Sequence, residues 1–303
     1  MDERDATQSI HDVIGATRNP AIGELRTRIR DNWDHFAPAA HAVCRRLAEI
    51  TPEQLLYTTA ADLGTETRTS NATVIRTLQR LGYSGLAELK GKVAGPFTSE
   101  TSPVDRARRR IESTGGDLGN IWERVTQEAI DRIELLRSNF SLDRYTAAVG
   151  LLLAAREITA YGFGASYVVA EHLALKLRRM GRRSRAVHSS GFRLADDLLG
   201  VERGDAVVLF APARLPTDVE VLIERSRAVG ASTILVTDER VERLADAVTV
   251  VLEAPNTPTG LTGEPVSALV VADALAQAVA ASDVERTVQA SHTLTAVRRQ
   301  LRC

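Results

Sequence analysis

The stretch "AREITAYGFGASYVVAEHLALKLRRMG", Ala155 to Gly181, decides the fold of the larger part of this chain. Its apolar run "EITAYGF" reads as a buried strand. A Gly-x-Gly-x-Ser turn closes it, and a helical pattern from Ser166 to Met180 follows. Four more strand-like runs come after it: "SRAVH", "DAVVLFA", "STILVTD" and "AVTVVLE". Helical patterns separate them at about Phe192–Leu199, Pro216–Val229 and Arg240–Ala245, and a last pair follows Glu264. Such alternation predicts a doubly wound α/β domain with a five-stranded parallel sheet. Ligands of such sheets bind beyond the C-terminal strand ends. Gly162 and Gly164 permit close backbone approach there, and Ser166 lies at a helix N-terminus, which suits an anion. A tight turn with a capping serine, needing no ligand, reads the same way. The next strand ends in "HSSG", so Ser189 and Ser190 reach the same edge or cap the helix behind them.

Upstream the texture changes. From about Ile22 to Val93 the pattern is helical, with no strand-like run. Within it stands "TTAADLGTETRTSNATVIRTLQRLG", Thr58 to Gly82. A first helix packs Leu63 inward and ends near Gly64; a polar turn containing Arg68 and Thr69 follows. Ser70 is the expected N-cap of a second helix, Asn71 to Arg80. Val74, Leu78 and Leu81 share one stripe of it. The other face carries Ala72, Arg76 and Gln79, flanked by Thr73 and Arg80, and has no acid. Arg and Gln on a slim face can read base edges in a major groove. From Arg68 to Lys92 five cations (Arg68, Arg76, Arg80, Lys90, Lys92) face Glu88 alone, a local basic patch. A solvated helical hairpin with a Gly turn gives the same pattern.

The whole chain has 303 residues and a formal net charge of −1, which makes no global case for nucleic acid or a membrane. No apolar run approaches the ~18 residues of a membrane span. Cys44 and Cys303 stand apart, without metal-ligand spacing, as expected for a reduced cytosol. The expected organisation is a flexible tail over 1–20, a helix-turn-helix domain over 21–95 and a linker over 96–119. The α/β domain follows over 120–283, then a C-terminal helix over 284–303. The linker expectation rests on the Pro, Gly, Ser and Thr clusters around "RARRR".

The run "SNATVIRTLQRLGYSGLAELK" resembles the recognition helix of the RpiR family of bacterial regulators. Ser70, Thr73, Val74, Arg76, Leu81, Gly82, Gly85, Leu89 and Lys90 carry that likeness; Thr77 departs from it, replacing a larger apolar residue. The alternating half resembles the SIS (sugar isomerase) domain that such regulators carry. The resemblance implies DNA contacts from Arg68, Thr69, Ser70, Asn71, Ala72, Thr73, Arg76, Gln79, Arg80 and Lys90. It implies effector contacts from Gly162, Gly164, Ser166, Ser189, Ser190, Arg214, Thr217 and Glu264. In SIS domains the third strand ends in a hydroxyl-rich phosphate turn. Here "VVLFAPARLPTDVE", Val207 to Glu220, puts Ala211 and Ala213 where serines belong, Arg214 for glycine and Pro216 for threonine. Either Arg214 substitutes as a phosphate ligand, or the pocket prefers a less anionic molecule, or the loop is solvated and the pocket vestigial.

The resulting expectation is a cytoplasmic homodimer or homotetramer that binds an inverted repeat in double-stranded DNA and senses a small sugar-derived effector. It carries no catalytic set, cofactor or metal, and no membrane association. The rivals are a sugar-phosphate isomerase with an accessory helical domain, using Glu264 as base, and a DNA-binding protein whose SIS-like domain only assembles oligomers. His188 is the one histidine near the strand-end loops.

Overall fold

The computed structural model describes residues 19–100, 103–115, 117–211, 217–238, 247–256 and 265–302. These divide into two compact units, one ending at Ser138 and one beginning at Asn139.

The first unit is all-helical: α1 Pro20–Asn32, α2 Pro38–Glu49, α3 Pro52–Tyr57, α4 Ala60–Thr67, α5 Asn71–Arg80, α6 Leu86–Glu100, α7 Pro103–Thr114 and α8 Leu118–Ser138. Its core gathers one apolar stripe from each of the first six helices, including Ile22, Leu25, Leu47, Leu55, Leu63, Val74, Leu78 and Leu89. Helices α1, α2, α3 and α7 open on a proline, where the missing N–H costs nothing. Thr51 and Thr59 form capping boxes with Gln54 and Asp62.

Three boundaries differ from the expectation. Residues 19 and 20 belong to the helical unit: Asn19 is buried, caps α1 and donates from Nδ2 to the Val93 carbonyl at 2.9 Å. The stretch 96–119 is mostly helical, with Pro103 at the start of α7, where its fixed φ suits a helix. Helix α8, assigned from sequence to the α/β domain, is held in the helical unit by charge pairing. Arg124 donates to the Asp62 carboxylate at 3.0 and 3.1 Å and to the Tyr57 carbonyl at 3.3 Å. Periodicity identifies such a helix without saying which core it joins.

The second unit comprises α9 Leu142–Ala154, β1 Ile158–Gly162, α10 Ala165–Arg179, β2 Ser184–Val187, α11 Gly191–Leu199, β3 Ala206–Phe210, α12 Thr217–Val229, β4 Ser232–Thr237, β5 Val250–Glu253, α13 Val266–Ser282 and α14 Val284–Gln300. The five strands are parallel, in the order β2-β1-β3-β4-β5. Strands β1 and β3 are buried throughout, which is why they read as unbroken apolar runs. One face, with Tyr161, Val207, Leu209 and Leu235, packs on Leu194 and Leu198 of α11 and Leu222 and Ile223 of α12. Helices α9 and α10 pack on the sheet, and α13 packs on both of them. The helix expected at Arg240–Ala245 lies outside the described residues. No single described helix is long and apolar enough to cross a membrane.

Candidate functional sites

The first site is the helix-turn-helix. Helix α4 runs three residues past Gly64, and Arg68 takes the left-handed conformation (φ 53°) that closes it. The turn passes so close that a Cβ on Gly64 would sit 3.0 Å from the Thr69 carbonyl oxygen. Ser70 caps α5 as expected, its Oγ accepting from the Thr73 N–H at 3.2 Å and lying 2.9 Å from the Thr73 hydroxyl. Ser70 and Thr73 therefore spend their hydroxyls on the helix start. Val74, Leu78 and Leu81 are buried, and Ala72, Arg76, Gln79 and Arg80 are exposed. Thr77, the departure from the resemblance, is also buried. Its methyl joins the core and its hydroxyl donates to the Thr73 carbonyl at 2.8 Å, so the polar group is satisfied.

The basic patch is smaller than the sequence suggests. Lys90 is 7 % exposed and sits among Glu128, Asp131, Arg110 and Arg124. Burial pulls its ammonium below the ordinary value, and Glu128 and Asp131 oppose that pull. It belongs to the packing of α6 on α8 and leaves the set of groups that reach DNA. Lys92 pairs with Glu88 at 3.1 Å on the next turn. The exposed cations of this segment are Arg68, Arg76, Arg80 and the Glu88-paired Lys92; Arg76 also donates from Nε to its own helix at the Ala72 carbonyl, 3.2 Å.

The second site is a cavity of about 200 Å³ at the C-terminal edge of the sheet, at the ends of β1, β3, β4 and β5. Its centre is the switch point where the chain leaves β2 on one side of β1 and returns as β3 on the other. Register explains the convergence: Gly162 pairs with Phe210, Phe210 with Val236, and Thr237 with Glu253, so these strands end level. The described lining is mostly apolar, with Phe163, Val169, Phe210 and Ala211 among its members. Its polar members are Ser166, Thr237, Asp238 and Asn256.

The expected effector residues fare unequally here. At Gly162 a Cβ would lie 2.3 Å from the Ser166 carbonyl oxygen, so packing alone requires glycine. Gly164 has φ 59° and ψ −127°, a conformation almost confined to glycine. Ser166 lines the cavity but does not cap α10. Ser189 and Ser190 are not in the described lining. The Ser189 hydroxyl is committed to the Asp197 carboxylate, and Ser190 is exposed at the start of α11 without capping it. Thr217 is the exposed first residue of α12. Arg214 and Glu264 lie outside the described residues. The His188 ring lies 4.3 Å from that of Tyr167, tilted by 46°, and the Tyr167 hydroxyl donates to Glu171. Sequence reasoning missed Phe163, Phe210, Thr237, Asp238 and Asn256. Only their positions just beyond strand ends could have marked them.

Comparison with known proteins fits this geometry. Residues 151–280 match the SIS domain family. A bifunctional protein glk of Paraburkholderia xenovorans is 28 % identical over 229 residues, covering 75 % of this chain and 34 % of that protein. The chain thus spans about a third of the length of the first curated relatives it matches. The HTH-type transcriptional regulator YfhH of Escherichia coli is 28 % identical over 181 residues, covering 57 % of this chain and 63 % of that one. Among solved structures, the NanR protein of Vibrio vulnificus, complexed with ManNAc-6P, shares the fold over 91 % of this chain and 98 % of its own, at a TM-score of 0.52 and 21 % identity. The sugar isomerase domain of an RpiR transcription factor from Sphaerobacter thermophilus covers 57 % of this chain and 96 % of its own, at a TM-score of 0.54 and 22 % identity. The chain carries a match to the SIS domain over residues 151–280 and is similar to proteins named as HTH-type transcriptional regulators.

Proposed function

We propose that this protein is a DNA-binding transcription regulator whose SIS domain senses a small sugar-derived metabolite. One observation carries the reading. Helix α5 is anchored by Val74 and Leu78 and presents Ala72, Arg76, Gln79 and Arg80 to solvent with no acidic side chain among them. Such a face can dock in a major groove, with arginine and glutamine reading bases and Arg68 at a phosphate. The names of relatives described as HTH-type transcriptional regulators support it. Sensing is supported by the cavity at the switch point and by the fold shared with NanR, a protein complexed with ManNAc-6P.

The chain acts as a homodimer or homotetramer on an inverted repeat, since two-fold symmetric proteins match palindromic sites. Helix α8 offers a face for a second copy. Leu118, Trp122 and Val125 fall on one stripe of it and are each at least half exposed. Light scattering on the pure protein tests this: a monomer at micromolar concentration removes it. The test of the function itself is fluorescence anisotropy with DNA from upstream of the protein's own gene. Saturable, sequence-specific binding that weakens steeply with salt is expected; binding indifferent to sequence rejects the regulator. The isomerase reading is tested by turnover of aldose and ketose phosphates. Its acid–base pair has one titratable candidate, Asp238, in the described lining.

A further inference from the structure

Helix α8 joins the helical unit by charge. The residues it buries are Glu128 and Arg132. Its apolar residues are half-buried or, like Leu118, Trp122, Val125 and Ile130, exposed. A helix ordinarily docks by an apolar stripe; this one docks by directed bonds. Glu128 meets Arg110 of α7, Lys90 of α6 sits beside Glu128 and Asp131, and Arg124 reaches Asp62 of α4. A gap of about 20 Å³ remains between Asp131, Glu134 and Leu135 of α8, Ala60 of α4 and Ile75 of α5, room for about one water. A few charge-assisted bonds, and not close packing, therefore hold α8 against the helix-turn-helix. We infer that Arg124 is a positioning residue of the DNA-reading unit: by gripping Asp62 it fixes α4, and with α4 the reading helix α5, to α8. The inference rests on the reading of the helical unit as DNA-binding.

Asp62 is where these elements meet. Its carboxylate accepts from the Thr59 N–H at 2.8 Å and so completes the capping box that starts α4. The same carboxylate accepts from Arg124 Nη2 through both oxygens, at 3.0 and 3.1 Å. Arg124 Nη1 donates to the Tyr57 carbonyl at the end of α3. One guanidinium thus ties the end of α3 and the start of α4 to α8. Its side chain is 13 % exposed, so salt screens the contact less than it screens a surface pair.

Helix α4 passes that hold on to α5 because the turn between them has little freedom. Gly64 lies so near Thr69 that a Cβ would sit 3.0 Å from its carbonyl oxygen, and the Thr67 and Thr69 hydroxyls are 2.9 Å apart. In a helix-turn-helix the first helix crosses the DNA backbone while the second lies in the groove. A tilt of α4 therefore displaces every base contact of α5 together, whereas the attraction of arginines to phosphates tolerates it. Helix α8 ends at Ser138 and the second unit begins at Asn139. Arg124 thus stands on the helix by which the SIS domain is joined, along the chain, to the reading unit.

The test uses the full chain and two duplexes, one from upstream of the gene and one of scrambled sequence and equal composition. Arg124→Lys keeps the charge and loses the planar guanidinium; Asp62→Asn keeps a capping side chain and loses the ion pair. Each variant binds the specific duplex roughly tenfold more weakly and the scrambled duplex as the wild type does. The double variant loses no more than either single one, because both act through one contact. Hydrogen exchange gives a readout that needs no DNA. In both variants the amides of α4 and α8 exchange at least roughly tenfold faster, while those of α1 and α10 keep their protection. Wild-type specific affinity in both variants, an equal loss on the scrambled duplex, additive losses, or unchanged exchange in α4 overturns the inference. Lost protection throughout the helical unit, α1 included, overturns it too, since Arg124 then serves stability alone. If the wild type shows no sequence-specific binding, the regulator reading fails, and the exchange of α4 and α8 decides the grip of Arg124 by itself.

Discussion

Replacing Arg110 by methionine tests how α8 is held to the helical unit. The Arg110 guanidinium meets the Glu128 carboxylate through two parallel bonds, 2.6 and 2.5 Å, with both side chains buried. Removing one partner of such a pair leaves an uncompensated charge and costs about 3–5 kcal/mol. Lys90 lies close by, and its largest attraction is to Glu128. It takes over part of the neutralisation, so the cost sits near the lower figure, about 3 kcal/mol. With a urea dependence of about 1.5 kcal/mol per molar, the unfolding midpoint falls by about 2 M. The chain has two tryptophans, Trp33 and Trp122, both in the helical unit, so their fluorescence reports on that unit. Arg110→Met combined with Glu128→Leu returns the midpoint to the wild-type value or above it, because a buried pair replaced by apolar groups is often neutral or stabilising. A single-variant shift under about 0.3 M, well below the about 2 M worked out above, refutes the reasoning.

Three further outcomes follow from the same geometry. Gly162→Ala drives a Cβ into the Ser166 backbone and destabilises the SIS domain by more than the usual 1–3 kcal/mol of overpacking, read by circular dichroism in urea; wild-type stability contradicts the close approach. Burial raises the Cys44 thiol to about 11, so in a Cys303→Ser background a thiol reagent at neutral pH labels Cys44 only as the protein unfolds; rapid native labelling contradicts its burial. Burial alone would raise the Glu88 carboxyl, but bonds from Ser84 and Lys92 outweigh it and hold the carboxyl below its usual value. Its contribution is therefore present above the unfolded pKa of about 4.3 and is lost as pH falls through the lower folded value. Glu88→Gln flattens that acid limb of stability, and an unchanged limb contradicts the role given to Ser84.

What the sequence revealed, and what it hid, divides by the range of the physics involved. The strands and α5 were legible because burial writes periodicity locally: "AVVLF" is buried on both faces, and Val74, Leu78 and Leu81 repeat at helical spacing. Ser70 was legible because a cap bonds three residues away. Lys90 was misread, since a cation on a helix gives no sign of the partners waiting on a helix nearly forty residues later. Helix α8 was misplaced for the same reason: its anchors, Asp62 and Arg110, lie on helices that only the folded unit brings together. The cavity wall was nearly invisible. Thr237, Asp238 and Asn256 belong to no motif, and they converge because parallel register ends β3, β4 and β5 level. Ser189 was a sound suggestion from its strand-end position, overturned by a bond to Asp197 that the sequence does not announce.

Whether α5 reads DNA decides the function of this protein. The measurement is anisotropy with a duplex from upstream of the gene, comparing wild type, Arg76→Ala and Lys90→Met over a range of salt. Arg76, exposed on the α5 face, should lose about 1–3 kcal/mol, roughly five- to 150-fold, with relaxed preference at one base position. Lys90→Met, altering a side chain that does not reach the surface, should leave affinity and salt slope unchanged. Full affinity in Arg76→Ala contradicts the assignment of α5 as the reading helix, and a salt slope lowered by about one in Lys90→Met contradicts the placing of Lys90 away from DNA.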